Sequence, residues 1–122
     1  MKTFIVIGAA AMALGVMLGA FGAHGLKSRI SPEMLAIYHT GVEYHFYNAL
    51  GLLLVGLIGL HFPQAGGLKT GGWLLTGGIL IFSGSLYVLA VTGIRWLGAI
   101  TPIGGVSFIA GWCWIAWSLI RA

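Results

Sequence analysis

Glu43 and His45 stand two residues apart in a stretch of the chain that is otherwise mostly apolar. A carboxylate in a membrane-spanning helix costs up to about 3 kcal/mol of insertion free energy unless it is paired, and an imidazole can change its charge near neutral pH. His39 lies one helical turn before Glu43 and Tyr47 one turn after it. We therefore expect Glu43 to pair with Arg95 or with a histidine and so to lock helix ends together. The alternative is a site that titrates protons or binds a ligand.

Further polar side chains are expected toward the same membrane side as Glu43. The candidate polar or ligand-binding cluster consists of His24, His39, Glu43, His45, Asn48, Ser83, Ser85, Tyr87 and Arg95. The numbering places most of these residues toward one end of the predicted helices, with Glu43 about one turn into the bilayer.

Histidine and carboxylate groups are competent metal ligands, but their spacing here does not favour a metal site. His45 follows His39 by six residues, about 600° around a helix of 3.6 residues per turn, so the two side chains point apart. A haem held between two histidines would rest on residue type alone. The chain also has no phosphate-binding loop, nucleophile elbow or zinc-protease motif. We predict no metal, no cofactor, no catalytic residue and no enzymatic activity, with a membrane metalloprotein or haem protein as the alternative.

The rest of the chain is strongly apolar, with 59% hydrophobic and 7% charged residues, whereas soluble domains have about 25% charged residues. Four uncharged stretches are long enough to cross a bilayer, and in hydrocarbon only a helix or a closed barrel satisfies its own backbone hydrogen bonds. These stretches are Thr3–Ala23, Tyr44–Phe62, Gly71–Thr92 and Trp96–Ile120, and the predicted spans cover residues of about 3–23, 41–62, 72–92 and 97–119, so that the second span also contains Glu43. The sequence therefore predicts an all-α membrane protein with one domain over residues 1–122.

The connections between the stretches predict how the helices are arranged. Ser31, Pro32 and Glu33 form a helix start, because serine caps free amides, proline suits the first helical position and an acid complements the helix dipole. This signal predicts a short interfacial helix that continues into the second span, with the turns from Met34 to Thr40 near the interface. The other connections are short and contain glycine, which favours antiparallel neighbours. The predicted fold is an antiparallel bundle of four transmembrane helices.

Small residues recur at helical spacing on two of the spans. They are Ala11, Gly15, Gly19 and Ala23 on the first span and Gly104, Ser107 and Gly111 on the fourth. Such rows let helix backbones approach closely in a bilayer, where no hydrophobic driving force brings helices together. The main interpretation is packing inside the bundle, and the alternative is that one row is left over for self-association.

Charged residues mark the membrane boundaries. The six basic and two acidic side chains give a formal charge of +4, and the basic residues lie at the ends of the spans, which is typical of topology and headgroup anchoring. We predict membrane lipid as a partner and no nucleic acid. The basic residues are divided equally between the two sides, so orientation stays open. Although Lys2 precedes an apolar run like that of a signal peptide, the run is longer than the usual core of about 7–15 residues, so we expect it to be retained.

Four ordered motifs give the chain a family resemblance. They are Gly19–Leu26, Tyr44–Leu50, Phe82–Tyr87 and Thr101–Gly105. They resemble motifs of the small membrane proteins called the domain-of-unknown-function 423 family, whose eukaryotic relatives are known as transmembrane protein 256. The resemblance implies a multi-pass protein of the bacterial inner (plasma) membrane without an established activity. It also favours the polar positions inside the motifs, which are His24, His45, Asn48, Ser83, Ser85 and Tyr87.

Three classes of function follow from these observations. We expect a non-enzymatic structural, assembly or accessory subunit that packs through its glycine-rich helix faces, either as a homo-oligomer or with another membrane protein. The alternative is a small solute or proton-linked transporter that uses Glu43 and the histidines. Small multidrug-resistance transporters have a similar size, but their essential glutamate lies in the first span, where this chain has no acid. A membrane enzyme or redox protein is the third class.

Overall fold

The computed structural model describes residues 1–122, and these residues form helices joined by short connections. The regular elements are α1 (Lys2–Phe21), a π-helical turn (Gly22–Leu26), α2 (Pro32–His61), α3 (Gly67–Gly78), a second π-helical turn (Ile79–Ser83), α4 (Gly84–Thr92), a 3-10 turn (Arg95–Ala99) and α5 (Thr101–Arg121). They group into four spans, Lys2–Leu26, Pro32–His61, Gly67–Thr92 and Arg95–Arg121, each long and apolar enough to cross a membrane. The predicted all-α fold with four spans is confirmed.

The second span begins at the predicted signal. The backbone amide of Met34 donates to Ser31 Oγ at 3.2 Å, and Glu33 lies in the first turn of the helix. From there α2 continues for 30 residues without a break. The turns from Met34 to Thr40, which the sequence places at the interface, are thus the N-terminal part of this long helix and not a separate element.

The second and third spans form the centre of the bundle. Half of the most apolar window of the second span and 44% of that of the third are buried, against 17% for the first and 22% for the fourth. The first span packs along the second, and the fourth packs along the third. Gly8 lies opposite Leu53 and Gly22 opposite Tyr38, so the first two spans run in opposite directions.

The buried residues form two apolar clusters with polar residues between them. The larger cluster lies toward the end of the bundle that carries the chain termini and includes Phe4, Leu52, Val55, Leu68, Leu75 and Ile115. The smaller one, toward the other end, contains Leu26, Tyr38 and Ala90. The buried polar residues, His45, Asn48, Ser83 and Ser85, lie mostly between these two clusters. We call these four residues the polar layer.

Glycine allows the closest contacts between spans. A Cβ atom at Gly104 would lie 2.7 Å from the Cα atom of Phe82, and one at Gly8 would lie 2.9 Å from the carbonyl oxygen of Ala49. Because these neighbours are backbone atoms, they cannot move aside as a flexible side chain can. The third and fourth spans, and the first and second, therefore approach at distances that only glycine permits.

The small residues of the first span face the second span. A Cβ atom at Gly15 would lie 3.2 Å from the Phe46 ring, and one at Gly19 would lie 3.5 Å from Val42. Ala23, in contrast, is exposed. A spacing of four residues advances about 400° around a helix, so the row drifts by about 40° at each step. By its fourth member the row has rotated away from the second span.

The small residues of the fourth span face the third span. Gly104 contacts Phe82, and a Cβ atom at Gly111 would lie 3.0 Å from Leu75. Ser107 donates a hydrogen bond to the carbonyl oxygen of Leu74 at 2.7 Å. This row therefore lies inside the bundle.

Candidate functional site

His45 joins three of the four spans. Its side chain is only 2% exposed, and its Nε2 atom lies 2.7 Å from the carbonyl oxygen of Ala11 on the first span. Its Nδ1 atom lies 2.8 Å from the hydroxyl oxygen of Tyr87 on the third span. Because a carbonyl oxygen only accepts, Nε2 must donate, and in the neutral ring Nδ1 accepts from the Tyr87 hydroxyl.

Gly15 gives His45 access to the backbone of the first span. A Cβ atom at position 15 would lie 3.3 Å from Cδ2 of the imidazole, so the ring passes close over the glycine to reach the Ala11 carbonyl. That carbonyl lies one helical turn before Gly15. The small row of the first span therefore positions a hydrogen bond as well as a helix contact.

Ser83 and Tyr38 make further bonds between spans. Ser83 Oγ donates to the carbonyl oxygen of Gly41 at 2.7 Å, and the Tyr38 hydroxyl donates to that of Leu18 at 2.5 Å. Ser83 closes the π-helical turn of the third span, and such turns often occur where a helix must redirect side chains. Each of these bonds uses a carbonyl oxygen of a neighbouring helix.

Asn48 and Ser85 connect the centre of the bundle to the fourth span. Nε1 of Trp112 donates to Oδ1 of Asn48 at 2.9 Å. Gly51 makes room for that indole, since a Cβ atom there would lie 2.5 Å from the ring. The hydroxyl oxygens of Ser85 and Thr101 are 2.6 Å apart. All four spans are thus linked by hydrogen bonds of the polar layer and its neighbours.

The polar layer is satisfied from within the chain. Every buried side-chain nitrogen and oxygen atom has a hydrogen-bond partner. Two pockets, of about 750 and 430 Å³, are lined by residues at the end of the bundle that carries the termini, and none of their lining residues belongs to the layer. A buried network whose groups are all paired rigidifies a bundle, whereas a binding site needs a cleft with convergent polar groups. The geometry of the layer fits a structural role.

Tyr87 contacts the layer through His45, but the four other members of the predicted cluster lie apart from it. His24, His39, Glu43 and Arg95 are all exposed on the surface of the bundle, with His24 in the π-helical turn that ends the first span. The chain forms no group of three or more histidine, cysteine or carboxylate side chains close enough to hold one metal ion. The structure therefore divides the predicted cluster into a buried part and an exposed part.

The ion pair expected between Arg95 and Glu43 does not form. Nη1 of Arg95 lies 3.4 Å from Oε1 of Glu33 instead. Glu33 is in the first turn of the second span, and Glu43 lies ten residues further along the helix, about 15 Å at 1.5 Å per residue. Arg95, at the start of the fourth span, therefore lies at the level of Glu33 and not at that of Glu43.

The pair of Arg95 and Glu33 is expected to contribute little to stability, because both side chains are more than 60% exposed. Exposed ion pairs are worth about 0–1 kcal/mol. We expect Arg95→Gln to lower the free energy of unfolding in detergent micelles by less than about 1 kcal/mol, with a still smaller effect in high salt. A loss well above that, or one insensitive to salt, would contradict a weak surface pair.

Glu43 lies near the middle of its helix and not at its end. The second span covers Pro32–His61, so its midpoint falls between Phe46 and Tyr47, and Glu43 is about 5 Å from that midpoint at 1.5 Å per residue. The side chain is exposed, and no hydrogen bond or ion pair within the chain involves it.

Three polar side chains form a row on the outward face of the second span. His39, Glu43 and Tyr47 follow each other at one-turn spacing, all are exposed, and Tyr47 is 62% exposed. None of the three makes a side-chain hydrogen bond within the chain. Toward the end with the termini, the same face continues with the exposed residues Leu50, Leu54 and Leu57. We call His39, Glu43 and Tyr47 the outer row.

Sequence alone does not single out Tyr38 and Trp112 as partners in the network. Tyr38 lies seven residues before His45, two helical turns on the same face, and this spacing is a signal that could have found it. The indole of Trp112 offers no such signal, because a tryptophan in a span is equally typical of the membrane interface.

These features define a small multi-pass integral membrane protein whose helices are held by hydrogen bonds between spans. The chain belongs to the family described as "Protein of unknown function (DUF423)", whose profile matches residues 18–105. The matched segment contains the whole polar layer and the outer row. The predicted family and the predicted location in a membrane are confirmed.

Bacterial relatives cover nearly the whole chain. The chain is 50% identical over 121 residues to the UPF0382 membrane protein YwdK of Bacillus subtilis (strain 168). The aligned residues cover 99% of this chain and 98% of the relative. The chain is also 46% identical over 112 residues to the UPF0382 membrane protein SH2409 of Staphylococcus haemolyticus (strain JCSC1435). These residues cover 92% of this chain and 90% of the relative. No solved structure matches. Neither the family description nor these names carry an enzymatic activity.

Proposed function

We propose that this protein is a non-enzymatic membrane subunit that assembles laterally through the outer row. The observation that carries the proposal is Glu43, an exposed carboxyl near mid-length of its span with no partner in the chain. A charged side chain inside a membrane span costs up to about 3 kcal/mol on insertion scales, and ionisable residues in spans almost always face protein or water. A partner helix that donates hydrogen bonds to Glu43 would remove this cost.

The glycine-rich faces, where the sequence predicts assembly contacts, are already engaged. Gly15 and Gly19 contact the second span, and Gly104 and Gly111 contact the third. The outward face of the second span is therefore the better candidate for a lateral contact. This shifts the proposed contact from small residues to polar ones.

A second copy of the chain is the partner that the outer row favours. A two-fold contact places the same surface of each copy against the other, so parallel copies bring residues of equal depth together. Glu43 of one copy then lies within about one helical turn of His39 and Tyr47 of the other. Carboxylates accept hydrogen bonds, and hydroxyl and imidazole groups can donate them. The row therefore offers donors one turn before and one turn after its acceptor, and these offset the repulsion between the two Glu43 carboxylates that a parallel contact brings near each other.

The experiment is a measurement of association in the membrane. Two populations of the protein, labelled with donor and acceptor fluorophores, are reconstituted into liposomes at decreasing protein-to-lipid ratios. We expect energy transfer that saturates as a dimer, and Glu43→Leu should weaken association by about tenfold, because hydrogen bonds between helices in membranes are worth up to about 1.7 kcal/mol each.

Glu33→Gln is the matched control, because it removes an exposed carboxylate of the same span that lies at the helix end. It should leave the association constant unchanged. A monomer at every lipid dilution would refute self-assembly. Equal association of the wild-type protein and Glu43→Leu would remove the outer row from the contact.

A proton-linked carrier is the second candidate, and the position of Glu43 inside a span favours it too, since ionisable residues inside membranes mark ion and proton pathways. This function requires Glu43→Gln to abolish proton flux in liposomes loaded with a pH-sensitive dye. Flux that persists in the variant would exclude Glu43 from the pathway. If liposomes that contain the wild-type protein leak protons no faster than empty liposomes, this result would count against a proton-linked carrier.

A further inference from the structure

A pocket of about 750 Å³ lies at the end of the bundle that carries the chain termini. One wall is the connection between the second and third spans, residues 64–67. The other wall is the last part of the fourth span and the residue after it, which contribute Ala110, Cys113, Trp114, Trp117, Ser118, Arg121 and Ala122. We call this pocket the terminal groove. It shares no residue with the outer row or with the polar layer.

The groove runs along one helix face from the membrane interior to the membrane edge. From Ala110 to Arg121 its residues recur at one-turn spacing over about 16 Å of helix. This length is about half of the hydrocarbon thickness of about 30 Å, which is the depth of one lipid leaflet. The inner end is formed by small or apolar side chains, and the outer end carries a guanidinium group. The groove has the same polarity along the membrane normal as a phospholipid.

The outer end of the groove favours an anion. The guanidinium carbon of Arg121 lies 5.9 Å from the centroid of the Trp117 ring. The cation–π attraction holds the positive charge of Arg121 over the ring face, where it is available to an anion. Lys2 and Lys69 lie at the same end of the bundle, whereas both acidic side chains of the chain, Glu33 and Glu43, lie in the other half of the second span. The charge of this end is therefore entirely positive among side chains.

The backbone at the groove adds a donor to this charge. The third span begins at Gly67, and no side chain caps its first amides. The Leu68 amide donates to the Ala65 carbonyl at 3.2 Å, whereas the Gly67 amide makes no backbone hydrogen bond, and a free amide at a helix start favours an anion. Both Gly66 and Gly67 line the groove, so the helix start and Arg121 border the same space.

We propose that the terminal groove binds an anionic glycerophospholipid of the surrounding membrane. The phosphate group lies against Arg121 and the Gly67 amide at the start of the third span, and one acyl chain lies along Trp117, Trp114 and Ala110. Basic pockets between membrane helices bind anionic headgroups in this manner, and the indole rings suit the interface between headgroup and acyl chain. The volume is within the range of small-molecule sites, about 300–1,000 Å³.

The test is a lipid titration of the delipidated full-length protein in a mild detergent, followed by native mass spectrometry. Dioleoylphosphatidylglycerol and dioleoylphosphatidylcholine have the same acyl chains and differ in headgroup charge. We expect one phosphatidylglycerol to bind at least fivefold more tightly than phosphatidylcholine. Arg121→Gln should remove most of this preference, because one basic residue near a membrane surface changes the affinity for anionic lipid about fivefold.

Arg29→Gln is the matched control, since Arg29 is an exposed basic residue at the opposite end of the bundle. It should leave the first lipid bound as tightly as in the wild-type protein, and Trp117→Ala should weaken both lipids. Equal binding of the two lipids to the wild-type protein, or an unchanged preference in Arg121→Gln, would overturn the proposal. Displacement of phosphatidylglycerol by millimolar inorganic phosphate would show a site for a free anion and would overturn the lipid assignment.

Discussion

His45→Ala is expected to lower the free energy of unfolding by about 2–4 kcal/mol. The substitution removes a buried ring from the contact of three spans and leaves a cavity there. It also removes the hydrogen bonds to the Ala11 carbonyl and to the Tyr87 hydroxyl. Hydrogen bonds between membrane helices are worth about 0.6 kcal/mol on average and up to about 1.7. At the average value the two bonds account for about 1 kcal/mol, and the lost packing accounts for the rest.

This effect can be measured by unfolding the protein reversibly with sodium dodecyl sulfate in mixed micelles and following the helical circular dichroism. His61→Ala is the control, because His61 is an exposed histidine at the end of the same span and its loss should change stability by less than about 0.5 kcal/mol. Equal stability of the two variants would show that the polar layer does not hold the spans together.

Tyr87→Phe tests the bond itself, because it deletes the hydroxyl that His45 contacts and keeps the ring. A double-mutant cycle of His45→Ala and Tyr87→Phe should give a coupling of about 0.5–1.7 kcal/mol. Additive single effects would show that the two side chains contribute independently.

Gly104→Ala is expected to destabilise the protein by about 2–3 kcal/mol through overpacking. The added methyl group would lie 2.7 Å from the Cα atom of Phe82, and a backbone atom within a helix cannot rotate away. The third and fourth spans must therefore separate. Phe82 also precedes Ser83 in the π-helical turn, so the movement disturbs the bond from Ser83 to the Gly41 carbonyl.

The neighbouring residue supplies a matched control in the same helix. A Cβ atom at Gly105 would lie 3.8 Å from the Phe82 ring, which is an ordinary contact, and alanine has a helix propensity about 1 kcal/mol better than that of glycine. Gly105→Ala should be neutral or slightly stabilising in the same unfolding assay. If both variants behaved alike, the close approach at Gly104 would be wrong.

Stability and assembly can be separated by these variants. His45 and Gly104 lie inside the bundle, whereas Glu43 lies on its outward face. Glu43→Leu should therefore change association in liposomes without lowering the stability of the monomer in micelles. A variant that loses both would indicate that Glu43 supports the fold directly.

The class of protein, the number of spans and the family could be predicted from the sequence alone. Length and apolarity are properties of continuous segments, and a bilayer accepts few solutions for such segments. The start of the second span was also predictable, because Ser31 caps the amide of Met34 only three residues away. The motifs around His45 and Ser83 marked residues that the structure buries in the polar layer.

The contacts between side chains of different spans could not be predicted from the sequence, because they depend on how the helices pack. The pairing of Arg95 with Glu33 and the bond from His45 to the Ala11 carbonyl depend on the relative depth and rotation of separate helices. Local sequence does not fix either quantity. The π-helical turns are an example. Each adds a residue to one turn of a helix, so the side chains that follow it point in a different direction around the helix axis. Such turns occur in the first and third spans, and packing between spans, not local propensity, sets the final register.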